Sequence, residues 1–264
     1  MSALRRIGAT VQASFSNSVS VKWMRMMNNS FEGIVLKKVD YRDYDAMLSV
    51  LTASGKRSVL ARGINKISSK NAHCCQLFTL SRFNLLEKGS TLKNAELIKS
   101  YRGLREDLLK QGIAQLMMEV MDRLEEMMFG YEELLTCLDL LETAKQPYCI
   151  LTLFLALIAH EIGIEPNVDS CCRCGSKQQI AAFSINDGGF VCQRCQHSSD
   201  LRLNVEQLRL LRLACKAELK HAQVLLTAGE WTYPIVDVYL QLFQNYSGIN
   251  LQSAAFLRIV EGLN

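Results

Sequence analysis

The alternation of apolar and polar positions changes period once along this chain, near residue 101. From Phe31 onward, apolar and β-branched residues come in short runs: 31–37, then the Leu- and Val-rich 46–52, then 56–61. Ala53-Ser54-Gly55 reads as a tight turn, so the second and third runs predict a hairpin. Residues 63–72 are polar and leave room for a short helix. Residues 77–87 form a fourth run, with apolar Leu77, Leu80, Phe83 and Leu85. Lys88-Gly89-Ser90 turns the chain into a fifth run over 91–98. Five short strands, interrupted between the third and fourth, predict a small Greek-key barrel of the OB type.

Beyond Tyr101 the period is helical. Leu108, Ile113, Leu116, Met117, Val120, Met121 and Leu124 recur at three- and four-residue steps, predicting a helix from Gly103 to just before Gly130. The Met residues at 117, 118, 121, 127 and 128 read as core packing on that helix. Leu134, Leu135, Leu138 and Leu141 mark a second helix, stopped near Pro147. Residues 148–162 predict a third, apolar on most sides and therefore central to a bundle, ended by Gly163 and Pro166. Its uncharged core of twelve residues, 148–159, is too short for a bilayer, which needs roughly 20. Asn204 with Gln207 has the spacing of a capping box and opens a helix over 205–219. Residues 235–243, behind Pro234, and 253–260 predict the last two helices. The expected fold class is α+β with two domains: an OB-fold barrel over 28–100, then an all-α domain over 101–264 with a non-helical insert at about 168–200.

The insert carries the sharpest chemical signal. Cys171-x-x-Cys174 is followed, 17 residues later, by Cys192-x-x-Cys195. Each pair can curl around one side of a tetrahedral ion, and Asp187-Gly188-Gly189 supplies the turn that brings the pairs together. Four thiolates with no open position predict one structural Zn²⁺ per chain rather than a catalytic metal. Cys172 lacks the spacing, and His197 reads as a solvated loop residue. Cys74, Cys75, Cys137, Cys149 and Cys215 are scattered and read as small core hydrophobes. Ten clustered or scattered Cys with no secretory signal predict a reducing, intracellular setting.

Charge divides the chain further. The formal net charge of +4 hides a partition. Residues 28–100 hold 12 Lys and Arg against 6 Asp and Glu, whereas 101–264 hold 14 against 20. A basic module suited to a polyanion is thus joined to an acidic one suited to proteins. Between Asp45 and Glu87 there is no acid over 41 residues, while Lys56, Arg57, Arg62, Lys66, Lys70 and Arg82 are basic. These six are the candidate phosphate contacts of a groove that tracks a nucleic-acid backbone without reading sequence. Tyr44, Phe78 and Phe83 are candidate stacking residues, at least two of them expected in the barrel core. Residues 1–27 hold Arg5, Arg6, Lys22 and Arg25 with no acid. They read as a disordered extension ahead of a natural start at Met26 or Met27, with a transit peptide as the less favoured reading.

No enzyme motif survives inspection. Ser54-Gly55-Lys56-Arg57-Ser58 has the end of a P-loop, but position 50 is Val and position 57 is Arg. His160-Glu161 opens like a zinc-protease helix, yet position 164 is Ile. No G-x-G-x-x-G is present.

Several segments together carry a resemblance. They are Phe31-Glu32-Gly33-Ile34-Val35-Leu36-Lys37 with Asp40-Tyr41 and Asp45, Leu51-Thr52 with Gly55-Lys56, and Ala61-Arg62-Gly63 with Ser68 or Ser69. Ala95-Glu96-Leu97, Tyr101 and Leu104-Arg105-Glu106-Asp107-Leu108 continue them. The most specific piece is Gly163-x-x-Pro166, Cys171-x-x-Cys174-Gly175 and Phe183-Ser184-x-x-x-Gly188-Gly189-x-x-Cys192-x-x-Cys195. The chain resembles the bacterial RecO family of DNA repair proteins over about 28–260, and residues 1–27 are unmatched.

The resemblance implies an OB fold followed by a helical domain with a zinc module, binding of single- and double-stranded DNA, and annealing of complementary strands. It implies work with RecR, and with RecF in some settings, to load RecA on SSB-coated gaps. It also implies no catalytic residue, no membrane, and a cytoplasmic, nucleoid-associated location. The acidic C-terminal tail of SSB is implied to dock on the helical domain. That docking needs a local basic spot, for which charge alone suggests Arg209, Arg212, Lys216 and Lys220. The competing reading is a zinc-ribbon protein–protein adaptor whose barrel does not touch DNA; a nuclease is the weaker rival, for want of a carboxylate cluster.

Overall fold

The computed structural model describes residues 29–87, 89–124 and 130–262. The expectation for residues 1–27 and the Met residues at 127 and 128 lie outside the described residues.

The first half is a five-stranded antiparallel sheet of β1 (Ser30–Tyr41), β2 (Asp45–Thr52), β3 (Gly55–Ala61), β4 (Thr79–Leu85) and β5 (Leu92–Ser100). The strand order is β3-β2-β1-β4-β5. A parallel bridge from Leu60 to Thr91, with the Leu60 N–H donating to the Ser90 carbonyl at 2.8 Å, joins β3 to β5 and closes the barrel. This is the expected OB-like architecture. Alternation sends Val35, Leu48, Val50, Val59, Phe83 and Leu92 inward to a small core. Gly33 is needed where β1 crosses β2: a Cβ there would lie 2.5 Å from Val50 Cγ1 and 2.6 Å from the Leu51 carbonyl oxygen. The short helix expected over 63–72 falls later, as a 3-10 turn over Ala72–Cys75.

The second half packs α1 (Gly103–Glu106), α2 (Leu108–Arg123), α3 (Tyr131–Thr143), α4 (Pro147–Glu161), α5 (Val205–Cys215), α6 (Ala222–Leu226), α7 (Tyr233–Leu242) and α8 (Gln252–Gly262). The single helix expected from Gly103 is split at Asp107. Its extended backbone and its carboxylate, which accepts from the Lys110 N–H at 3.0 Å, make it the N-cap of α2. The last predicted long helix stops at Cys215 rather than 219, where the Lys216 and Ala217 N–H groups tighten onto Leu213 and Ala214. α6 was not predicted, because five residues are too few to show a period. The Asn204–Gln207 capping box forms with both bonds. α4 is buried on nearly every side and is the bundle's centre. No helix among the described residues is long and apolar enough to cross a membrane.

The two halves share one core. Ile34, Leu36 and Leu51 of the barrel, with Phe78, join the same buried cluster as α2 to α5. The Ser49 hydroxyl donates to the Asp122 carboxylate at 2.7 Å, and Lys56 Nζ donates to the Asp122 carbonyl at 2.6 Å, placing a cation at the C-terminal end of α2. At the other end of the chain, Glu119 of α2 accepts the N–H groups of Gln252 and Ser253 at 2.9 and 2.8 Å, anchoring the start of α8.

Burial alone would raise the Glu119 carboxyl, but the bonds from Ser253 and Gln252 and the nearby Arg123 outweigh it and hold it below its ordinary range. A depressed carboxyl contributes stability above its unfolded value of about 4.3 and loses it as pH falls through the folded value. Replacing Glu119 by Ala is expected to loosen α8 by about 1–2 kcal/mol. Hydrogen exchange over 252–262 should quicken while the barrel is unchanged. Unaltered exchange there would contradict this anchoring role.

Candidate metal centre and nucleic-acid interface

The insert is built on a three-stranded sheet of β6 (Ile180–Ser184), β7 (Gly189–Cys192) and β8 (Leu201–Arg202), ordered β7-β6-β8. It is tied to the bundle through Asn167, which forms a parallel bridge with Gly189; a Cβ at Gly189 would lie 2.6 Å from the Asn167 carbonyl oxygen. The first cysteine pair sits on a tight turn. The Gly175 N–H donates to the Cys171 carbonyl and the Cys171 N–H donates to the Ser176 carbonyl, both at 2.8 Å, with Gly175 at φ +72°. The second pair leaves the end of β7, with the Cys195 N–H on the Cys192 carbonyl at 3.0 Å.

The four Sγ atoms of Cys171, Cys174, Cys192 and Cys195 all lie within 4.8 Å of one another. The Cys174–Cys192 separation is 3.7 Å. A tetrahedral ion with metal–sulfur bonds of about 2.3 Å needs sulfurs about 3.8 Å apart, so the set fits such an ion. Cys171 and Cys192 are buried, Cys195 half-buried and Cys174 exposed. Burial would raise the Cys171 thiol, but backbone N–H groups of Cys192, Arg173 and Cys174 outweigh it and bring it down to about 6. Cys195, facing the Cys174 and Cys192 side chains, is pushed up to about 12. The four cannot all ionise together without a cation between them. Cys172 and His197 stand outside the sulfur cluster. Burial raises the Cys75 and Cys149 thiols to about 12 and raises Cys137 too, as suits core residues.

Arg173, between two of the clustered cysteines, was not singled out from the sequence. Its guanidinium grips both oxygens of Asp200 at 2.7 and 2.9 Å, Asp187 at 2.8 Å and the Ser184 hydroxyl at 3.1 Å, and it reaches the Cys195 carbonyl. Asp200 also accepts the His197 N–H at 2.7 Å. The side chain of Asp200 is only 2% exposed and that of Arg173 19%. One cation therefore joins both cysteine turns and the hairpin. Nothing local signals this, because its carboxylate partners lie 14 and 27 residues away.

On the barrel, the six candidate phosphate contacts separate. Lys56 is spent on Asp122, as a clamp between barrel and bundle. Arg82 is paired with Glu32 at 2.6 Å and Glu96 at 3.6 Å, so the acid-free stretch is neutralised by neighbouring strands. Arg57 lies over the Phe31 ring at 4.7 Å. Arg57, Arg62, Lys66 and Lys70 have no ion pair among the described residues.

Arg62 and Lys66 gather at one end of the barrel with Arg42, whose charge the sequence reading overlooked among Asp40, Asp43 and Asp45. A recess of about 430 Å³ there is lined by Arg42, Asp43, Tyr44, Asp45, Arg62 and Lys66. Arg42 sits on the β1–β2 turn at φ 59°, its guanidinium 5.1 Å from the Tyr41 ring. Lys66 stands 5.5 Å from the Tyr44 ring. Of the nearby carboxylates, Asp45 takes the Gly63 N–H at 2.7 Å and Asp40 the Asn65 amide at 2.8 Å, and Asp43 and Asp45 line the recess with the cations, leaving it a net positive charge of one. Phe78 and Phe83 are core residues, whereas Tyr44 is 54% exposed. Exchanging Lys56 for Ala is expected to lower stability by about 1–2 kcal/mol. A drop in polyanion affinity with unchanged stability would instead make Lys56 a ligand contact.

The four basic residues suggested for the acidic tail are each paired: Arg209 with Glu206, Arg212 with Asp169, Lys216 with Asp169 and Lys220 with Glu218, at 2.6 to 3.1 Å. A groove of about 520 Å³ between the insert and α5 is lined by apolar Val168, Ile180, Phe190 and Leu208, by Lys177, Arg209 and Arg212, and by the single carboxylate of Asp169. Lys216 and Lys220 are not part of it.

Comparison with known proteins places this architecture. A family model described as "Recombination protein O N terminal" matches residues 24–101, and "Recombination protein O C terminal" matches 105–253. The chain is 32% identical over 243 residues to a DNA repair protein RecO of Bacillus pumilus, covering 88% of this chain and 94% of the relative. It is 31% identical over 242 residues to that of Bacillus subtilis, with the same shares covered. A Listeria monocytogenes RecO is 28% identical over 239 residues, covering 86% and 92%. With both halves matched in order, the chain belongs to the RecO family of DNA repair proteins.

Proposed function

We propose that the protein is a recombination mediator. It binds single- and double-stranded DNA, anneals complementary strands and, with RecR and in some settings RecF, helps load RecA onto SSB-coated DNA. The observation that carries this reading is the cluster of Arg42, Arg62 and Lys66 beside exposed Tyr44, three cations against the two carboxylates of Asp43 and Asp45 in the same recess. Three unpaired cations around an aromatic ring suit phosphates and an unpaired base. Annealing then needs no bond made or broken, only screening of the repulsion between two strands, so no catalytic group is required.

The metal of the insert is proposed to be Zn²⁺, one per chain, with a structural role. The SSB tail, acidic with an apolar end, suits the groove at Arg209 and Arg212, whose exposed ion pairs are weak enough to exchange for an incoming carboxylate. Lys216 and Lys220 would add long-range attraction only.

The test is annealing of two complementary oligonucleotides by the purified protein without a nucleotide cofactor. Acceleration that fades with salt is expected. A protein that neither anneals nor retards an oligonucleotide at low salt would favour the adaptor reading. Strand cleavage on adding a divalent ion would favour a nuclease.

A further inference from the structure

The outer face of the barrel is divided. Its half nearest Ile34, Leu51 and Lys56 is covered by the helical domain. The other half is open, and its composition is unusual for a solvated sheet. Val39 of β1 pairs with Met47 of β2, Met47 pairs with Leu60 of β3, and Leu60 is bridged to Thr91. Inward neighbours such as Leu48 and Val59 are buried. By alternation the Val39–Met47–Leu60 row faces out. Val39 is 48% exposed, and Met47 and Leu60 are partly exposed. An apolar row thus runs across three strands on the wet side of the sheet.

Cations flank this row on both sides. Exposed Lys37 lies in the adjacent outward row, paired with Ser49. On the other side come Tyr41, paired with Asp45, then the recess where Arg42, Arg62 and Lys66 outnumber Asp43 and Asp45. Spanning two strand spacings, the row is about 10 Å long, room for about three bases at a stacked spacing of about 3.4 Å.

We propose that this row is a platform for unpaired bases: it takes the flat faces of about three consecutive bases of a single strand, while Lys37, Arg42 and Arg62 hold the flanking phosphates. The inference rests on the DNA-binding reading and deepens it, because it separates a base-dependent part of binding from the charge-dependent part. A duplex, its bases already stacked, gains only the cations. A platform this short leaves the rest of a bound strand open for pairing, as annealing requires.

The experiment compares three probes at one salt concentration: a single-stranded oligonucleotide, the same length of abasic backbone, and a duplex. The wild-type protein should bind the single strand several-fold tighter than the abasic backbone, less than a row of aromatic rings would give because this one is aliphatic. The variant V39S/M47S should lose that advantage, keeping its abasic and duplex affinities and its salt slope. Equal wild-type affinity for single strand and abasic backbone would overturn the platform while leaving DNA binding intact. So would a variant that keeps the preference. Binding to none of the three would overturn the DNA reading itself. The wild-type comparison decides the matter even if the double variant fails to fold.

Discussion

Serine in place of Cys174 is expected to abolish stoichiometric metal binding and to unfold the insert. The four sulfurs are already within 4.8 Å of one another, so the ion does not gather them from afar. It would supply the charge that lets four neighbouring thiols ionise together. Three ligands cannot close the tetrahedron, and the insert's own apolar cluster is only Cys171, Ala182, Val191 and Cys192 with a few half-buried neighbours. Structural zinc sites are worth about 10–16 kcal/mol in small peptides, far more than such a cluster can replace. Metal content by elemental analysis should fall from one per chain to near zero, and limited proteolysis should cut within about 168–200. Cys172→Ser should leave both unchanged. Full metal content in Cys174→Ser, or loss in Cys172→Ser, would mean that the ligands are misassigned.

The second large effect is expected at Arg173. Its replacement by Ala leaves Asp200 buried with no cation and strips Asp187 and Ser184 of their shared donor. Breaking such a buried pair costs about 3–5 kcal/mol, because the abandoned charge stays out of water. Lys at this position keeps the charge but loses the two-pronged grip on Asp200 and should recover only part of the loss. The double change R173M/D200L removes both charges and should be markedly less damaged than R173A. Denaturant unfolding in the presence of zinc reads all three. A loss below about 1 kcal/mol in R173A would reduce the clasp to an incidental contact.

The barrel was legible because its signals are local. Short apolar runs, the turn at Ala53-Ser54-Gly55 and the break after Gly63 each act within a few residues, and β1 to β5 follow them closely. The clustering of the four cysteines was legible for the same reason: each pair closes its own turn, and only the hairpin has to bring the two together. What stayed hidden depends on cross-strand and cross-domain neighbours. The absence of acid between Asp45 and Glu87 suggested a uniformly basic face, yet Glu32 and Glu96 arrive on adjacent strands to pair with Arg82. Lys56 looked like a phosphate contact and is a clamp on α2. Arg42 gave no signal in the sequence, because it joins Arg62 and Lys66 only through the folded end of the barrel. The cations of α5 and of Lys216 just after it looked free and are paired, with carboxylates both near and far in sequence. Charge along a sequence is thus a poor guide to charge on a surface whenever strands or helices interleave.

The central claim, that the open end of the barrel holds DNA by its phosphates, is tested most directly by a salt titration. Affinity for a single-stranded oligonucleotide should fall linearly with salt on logarithmic axes. Changing Arg42, Arg62 and Lys66 together to Ala removes three cations that have no ion pair among the described residues. The slope should then shrink by about 2, at roughly 0.7 per lost phosphate contact on a single strand. The metal content should remain one per chain, since the insert lies in the other half. A slope identical to that of the unaltered protein, with the fold intact, would contradict the account and move the DNA site away from the barrel.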